Sequence, residues 1–251
     1  MAQVLDSTTS PAPKELFEFA DLLEREPQLC RRLADPGAAG ERKQQLITAL
    51  LQAKLSKATL VAIAELVSKD WRNGAALMQG VEAAGVRSAL AAAQTAGELD
   101  RVQAELFSFQ ELLSNEAALL DAFREPRASR QAKVELARSL AGNAVSPQAM
   151  LLIERAAGRQ GTLRLLQQYQ ESAAELAGQQ IAKVTVARPL DAARQERLRD
   201  ALAAKVGQPV LLQIHVDPAV VGGMSVHIGD NIFESTVARR LQDARRHLHT
   251  T

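Results

Sequence analysis

Glu15-Leu16-Phe17-Glu18-Phe19-Ala20-Asp21-Leu22-Leu23 returns without a gap as Glu105-Leu106-Phe107-Ser108-Phe109-Gln110-Glu111-Leu112-Leu113, an offset of 90 positions. The offset holds for a whole unit. Glu26 falls on Glu116, Leu29 on Leu119, Pro36 on Pro126, Lys43 on Lys133, Leu46 on Leu136, Leu50 on Leu140, Ser56 on Ser146 and Ile63 on Ile153. Self-similarity at a fixed spacing marks a unit of architecture, and duplication explains this run better than chance. Leu16, Phe19, Leu22 and Leu23 recur at the three- and four-residue spacing of one helix face, as do Leu106, Phe109, Leu112 and Leu113. Each copy therefore reads as a set of helical hairpins.

Local signals place the elements around this repeat. Ser146-Pro147 offers an N-cap hydroxyl followed by a proline at the first helical position, where its missing N–H costs nothing, and predicts a helix over residues 147 to 157. Pro36 and Pro126 fall where each copy changes direction, because proline cannot donate the hydrogen bond that a continuing helix requires. Near Gly178 the period changes to alternation. Ala182, Val184 and Val186 take one face and Lys183 and Thr185 the other, which predicts a strand. Asp191 is placed to cap a helix running to about Val206 and Gly207 to end it, and Val210, Leu212, Ile214 and Val216 then alternate again. A β-α-β unit is expected. Met224, Val226 and Ile228 form a third run, Gly229-Asp230-Asn231 supplies a turn, and Ile232-Phe233 return antiparallel. A basic helix is expected over 236 to 248.

Composition agrees. The 251 residues are 47% hydrophobic and only 3% aromatic, and Ala, Leu, Gln, Glu and Arg dominate, which favours helices over strands and supplies a sizeable core. The net charge of +1 gives no reason to expect nucleic acid or an anionic membrane surface. Cys30 is the single cysteine; it excludes an internal disulfide and points to a reducing compartment. Residues 1 to 13 carry neither a secretory nor an organellar targeting pattern. Apolar runs such as 60 to 66 are far below the roughly 20 residues that span a bilayer, so no direct membrane insertion is expected.

The segment Val216-Asp217-Pro218-Ala219-Val220-Val221-Gly222-Gly223-Met224-Ser225-Val226-His227-Ile228-Gly229-Asp230-Asn231-Ile232-Phe233-Glu234-Ser235 closely resembles the signature of ATP synthase delta subunits and the mitochondrial oligomycin-sensitivity-conferring protein. That pattern is a strand ending in Asp-Pro, an apolar stretch, Gly-Gly, a strand, Gly-Asp, and an acidic-Ser step into a helix carrying Arg-Leu, here Arg240-Leu241. Its motif residues are Asp217, Pro218, Gly222, Gly223, Gly229, Asp230, Ser235, Arg240 and Leu241. Ala187-Arg188-Pro189-Leu190, and Leu151-Leu152-Ile153-Glu154-Arg155 through Gly158-Arg159, also look like the family. The resemblance covers residues 86 to 248. Delta subunits ordinarily have one helical N-terminal domain, whereas this chain carries a partial extra copy, as enlarged actinobacterial forms do.

The resemblance implies a mainly α protein with a duplicated N-terminal helical bundle and a small C-terminal α/β domain. The expected segments are an extra helical repeat at 1–84, a delta-type bundle at 85–178 and a stalk-binding domain at 179–251. It implies a stator subunit, without catalysis or cofactor, at the cytoplasmic face of a bacterial cell membrane as part of the synthase. Its partners would be N-terminal segments of the alpha subunits and the b subunits of the peripheral stalk. In family members the alpha segment lies between the first and fifth helices of the N-terminal domain. By match these are residues 86 to 96 and 148 to 157, with Val86, Ala89, Leu90, Ala93, Leu151, Leu152 and Arg155 as candidate contacts. Val86 stands where the family usually has an aromatic.

Other candidates read as structure. Gly222-Gly223 lets the backbone pass close to its neighbours between strands, and neither G-x-G-x-x-G nor a glycine loop ending in Lys-Ser/Thr occurs. His215 and His227 fall on polar strand faces, and His247 and His249 near the terminus, none with Cys or carboxylate at ligand spacing. Cys30, with no His nearby, reads as a small apolar residue rather than a nucleophile. Trp71 and Tyr169 fit either a partner anchor or core packing. Arg239, Arg240, Arg245 and Arg246 fit either acidic stalk helices or a solvated face. The alternative class, a helical adaptor or RNA-binding module, needs a basic stripe with interleaved aromatics, and none is evident. No catalytic constellation can be assembled.

Overall fold

The computed structural model describes residues 10–142, 145–220, 223–229 and 231–234. Two compact units result, Met1–Leu106 with Ala122–Thr162 and Phe107–Asp121 with Leu163–Thr251. The first copy comprises α1 (Pro13–Arg25), α2 (Pro27–Ala34), α3 (Gly40–Leu51) and α4 (Lys57–Ser68). The second comprises α6 (Leu99–Asn115), α7 (Ala117–Arg124), α8 (Arg130–Ala141) and α9 (Pro147–Ala157). Between them runs α5 (Gly74–Thr95), and α10 (Thr162–Ala177) follows. Helices α7 and α8 have the bounds of α2 and α3 displaced by the 90 residues read from the sequence.

Prolines start α1, α2 and α9 at positions where their missing N–H is not needed. Pro36 and Pro126 lie in the expected loops. There the Asp35 carboxylate accepts from Gly37 N at 2.9 Å, and the Glu125 carboxylate from Arg127 N at 3.0 Å. Ser146 caps α9 by accepting from Ala149 N, and Ser56 caps α4 by accepting from Thr59 N. The first copy closes on Leu16, Phe19, Leu23, Leu33, Ile47, Ile63, Leu77 and Val81, all buried together. Burying one such side chain stabilises by roughly 1.5–3 kcal/mol, an upper figure because unfolded chains are partly collapsed.

Helix α5 is capped by Asn73, whose side chain accepts from Ala76 N at 2.8 Å. It continues unbroken through position 85, where the extra repeat was expected to end. Gly85 is not a break but a close approach: a Cβ there would lie 2.5 Å from Cε1 of Phe17 on α1. The helix thus closes the first copy and opens the second.

The second unit holds a four-stranded sheet, β1 (Gln180–Val186), β2 (Val210–Val216), β3 (Met224–Ile228) and β4 (Asn231–Glu234), in the order β2-β1-β3-β4. β1 pairs parallel with β2, β3 antiparallel with β1, and β4 antiparallel with β3. The crossover α11 (Ala192–Val206) is capped by Asp191, which accepts from Arg194 N at 2.8 Å, and stops at Gly207 in the left-handed region, φ 77°. Ala182, Val184, Val186, Val210, Val226 and Ile228 bury one sheet face against Leu202.

The alternation expected for β2 holds only in part. Val210 is buried, Leu212 and Ile214 are half-buried and Val216 is exposed, while Gln213 on the opposite face is buried. The reason is cover on that face. Gln213 Nε2 donates to Gln170 Oε1 at 2.6 Å, and Gln170 Nε2 donates to Gln110 Oε1 at 2.7 Å, so a satisfied amide ladder replaces solvent. The basic helix expected over 236 to 248 lies outside the described residues.

Candidate functional site

Helix α5 carries Val86, Ala89, Leu90 and Ala93, helix α9 carries Leu151, Leu152 and Arg155, and the two helices pack together. The structure does bring the seven candidate residues onto one helix pair. It places six of them in the interior: Leu90 is 1% exposed, Leu152 0% and Arg155 5%, with Val86, Ala89 and Ala93 also buried. Leu151 alone is half-buried.

Arg155 is held from three sides. Its Nε and Nη2 donate to the two carboxylate oxygens of Glu82 at 2.7 and 2.5 Å, Nη1 donates to Asp21 Oδ1 at 2.7 Å, and its guanidinium carbon lies 4.7 Å from the Phe17 ring centroid. Asp21 also accepts from Arg159 Nη2 at 2.9 Å and from Arg130 Nη2 at 3.0 Å, and Arg159 Nη1 meets Glu24 Oε2 at 3.0 Å. Burial pushes the Asp21 carboxyl up, but the Arg130 and Arg155 guanidiniums outweigh it and hold it below its ordinary range. Burial likewise opposes the charge on Arg155, and Glu82 and Asp21 more than restore it. Fork-shaped, charge-assisted contacts of this kind fix geometry as well as contribute energy. Sequence reasoning made Arg155 a candidate contact and quoted Arg159 as family-like and Asp21 as part of the repeat, but gave neither of those, nor Glu82 or Arg130, a part in an ion network. No local signal marked the network: Arg155 follows Glu154 on α9, and its partners lie on other elements.

A second pair of contacts repeats the duplication in space. Glu15 accepts from Ser56 N at 3.1 Å and from Ser56 Oγ at 2.7 Å, and Glu105 accepts from Ser146 N at 2.9 Å and from Ser146 Oγ at 2.5 Å. Each carboxylate ties the helix after one copy's entry to the N-terminus of its fourth helix, where the backbone dipole also favours negative charge. Burial raises both acids, while the hydrogen bonds of Thr59 and Ser56 on Glu15, and of Ser146 and Arg101 on Glu105, bring the net shift below the ordinary value.

The signature segment is a turn builder. Asp217 Oδ1 accepts from Ala219 N at 2.9 Å, Asp217 N donates to Val186 O at 2.9 Å, and Val220 N donates to Asp217 O at 3.1 Å, with Pro218 between them. Gly223 and Gly229 sit at φ 84° and 53°, conformations that side chains resist. Gly222, Asp230, Ser235, Arg240 and Leu241 lie outside the described residues, as do His247, His249 and the terminal arginines.

His215 Nδ1 lies 2.7 Å from Glu111 Oε2, and His227 Nε2 lies 3.2 Å from Ser225 Oγ. Cys30 is buried with its thiol donating to Gly74 O at 3.4 Å, and burial raises its pKa. Trp71 packs against the first core with Nε1 donating to Leu66 O at 2.8 Å, and Tyr169 is buried. Both lone aromatics are therefore packing residues. Among the described residues no group of three or more His, Cys, Asp or Glu suits a metal ion, and no helix is long and apolar enough to cross a membrane.

These features define a duplicated helical scaffold followed by a β-α-β-β-β module. A family model described as ATP synthase delta (OSCP) subunit matches residues 86–248. The ATP synthase subunit delta of Salinispora arenicola (strain CNS-205) is 36% identical over 245 residues, covering 96% of this chain and 89% of that protein. That of Streptomyces griseus subsp. griseus is 37% identical over 249 residues, covering 97% and 92%, and that of Thermobifida fusca (strain YX) 34% over 245 residues, covering 96% and 91%. Alignments of this length take in the first helical copy as well as the second. The chain belongs to the ATP synthase delta (OSCP) subunit family, a peripheral-stalk component of the rotary ATP synthase.

Proposed function

We propose that the chain joins the catalytic head to the peripheral stalk and carries out no bond chemistry. In this reading residues 1–84 are the extra repeat, 85–178 the bundle that engages N-terminal segments of the alpha subunits, and 179–251 the module that holds the b subunits. The assembly sits at the cytoplasmic face of the membrane, and this chain reaches it through its partners. Its work is to stay bound while the rotor turns, which apolar helix-in-groove contacts serve better than exposed ion pairs that salt screens.

The observation that carries the reading is the family match over 86–248, which takes in the C-terminal part of α5 from Val86 and the whole of α9. Because Leu90 and Leu152 are interior, the contact with an alpha segment is assigned to the half-buried Leu151 and its flanks. A peptide of the alpha subunit N-terminus, titrated against the full chain, tests this. Leu151→Asp is expected to weaken binding by about tenfold or more with an unchanged circular dichroism spectrum, since loss of a packed apolar anchor is worth roughly 1–2 kcal/mol or more. Unchanged affinity removes the pair α5–α9 from the head contact.

A further inference from the structure

Asp21, Glu82, Arg130, Arg155 and Arg159 come from α1, α5, α8, α9 and the turn after α9. All lie in the first unit. Moved by the 90-residue offset, these positions fall on Glu111, Ser172, Gly40, Glu65 and Lys69. The cluster therefore has no counterpart inside the repeat: two partners lose their charge, and Arg155 is replaced by an acid. Glu65 is exposed, and Glu111 meets His215 instead. This contrasts with the staples Glu15–Ser56 and Glu105–Ser146, which exist in both copies. The cluster belongs to the join, because its acid on α1 comes from the first copy and its three arginines come from the second.

We infer that this cluster is a register lock, which holds the first copy on the second in a single position and makes the extra copy a fixed extension rather than a tethered module. Apolar contacts along α1 and α5 recur every three or four residues and tolerate a slide of one helical turn, about 5.4 Å. The lock does not. A one-turn slide would part Arg155 from Asp21, lift Phe17 off Gly85 and leave the buried Arg155 guanidinium short of a partner, the situation in which a broken ion pair is most costly. One further bond holds α1 against α5 in the same register: Ser88 Oγ donates to Pro11 O. Fixing register is the best attested role of buried ionic groups.

Hydrogen exchange on the isolated full-length chain tests the lock without any partner. In Asp21→Asn, a near-isosteric change, amides of α1 are expected to exchange about tenfold or more faster, while those of β1 and β2 keep their wild-type rates. The repeat-equivalent Glu111→Gln should leave α1 protected. Arg155→Gln should reproduce the Asp21 effect, and the double variant should exceed neither single variant by more than about threefold, as expected of one coupled contact. Unchanged α1 protection in Asp21→Asn overturns the inference. So does a loss spread evenly over α1, β1 and β2, which would make the cluster a source of general stability.

Discussion

The two helical copies bury many of the same positions and have parted company on their outer faces. Leu16 and Leu106, Ile63 and Ile153, and the Glu–Ser staples occupy equivalent places with equivalent burial or bonding. Yet Phe17 is buried under Arg155 where Phe107 is half-buried, and Glu65 points to solvent where Arg155 is enclosed. The difference teaches that the fold keeps many of the same positions buried while exchanging side chains there, as Ile47 for Ala137 and Leu33 for Phe123, whereas the surface of each copy has been fitted to a separate neighbour. For the first copy that neighbour is the second copy. For the distal half of α6 it is the sheet, reached through Gln110 and Glu111.

The comparison can be broken most forcefully at Leu152, whose equivalent is Ala62. Leu152→Asp places a carboxylate at a fully buried position and should cost more than about 4 kcal/mol, abolishing the folded signal in denaturant titrations. Ala62→Asp, on the half-buried face of α4, should cost about 1 kcal/mol. A smaller contrast lies at the ends of α8 and α3. Gly142 ends α8 at φ 66° and ψ −167°, a region other residues avoid, while the equivalent Gln52 ends α3 in ordinary helical geometry. Gly142→Ala should therefore destabilise by about 1–3 kcal/mol, and Gln52→Ala by no more than about 0.5 kcal/mol. The finest contrast is between the two staples. Ser146→Ala should cost more than Ser56→Ala, both near 1 kcal/mol, because Ser146 is buried and Ser56 exposed.

The staples also set an acid limb. Glu15, Glu105 and Asp21 have folded pKa values below their ordinary 4.5, 4.5 and 3.8. Their stabilisation is therefore complete above those ordinary values and is lost as pH falls through the lower folded ones. Thermal melts between pH 5 and pH 2, spanning the range in which carboxylates titrate, should show Tm falling with acid, and less steeply in the double variant Ser56→Ala/Ser146→Ala. Equal slopes would mean that the staples do not couple to protonation.

Much of the fold was legible because its determinants are local. Ser146-Pro147 announced α9 to the residue, and Asp191 and Gly207 bracketed α11, since caps and stops act within one turn. The alternation at Ala182, Val184 and Val186 revealed the inward face of β1. What was not legible joins distant positions. Gln213 looked solvent-facing because its cover, Gln170, lies on another element, and the boundary at 85 came from the family likeness, which holds no record that Gly85 admits Phe17 inside a continuous helix. The candidate contact at α5–α9 was assigned by family likeness, and nothing in the local pattern distinguished the interior Leu90 and Leu152 from the half-buried Leu151. The network around Asp21 spans up to 138 residues of sequence, and no periodicity records it.

The 22 residues of α5 make a rod about 33 Å long at 1.5 Å per residue. A chain that must not yield gains from having its two bundles threaded on one continuous shaft, since bending at their boundary would require rupturing the i to i−4 ladder itself. Loops joining separate helices would be the compliant points of such a strut. Along α5 itself there is none, so twisting load taken up by α1 and α2 reaches α9 through one unbroken helix.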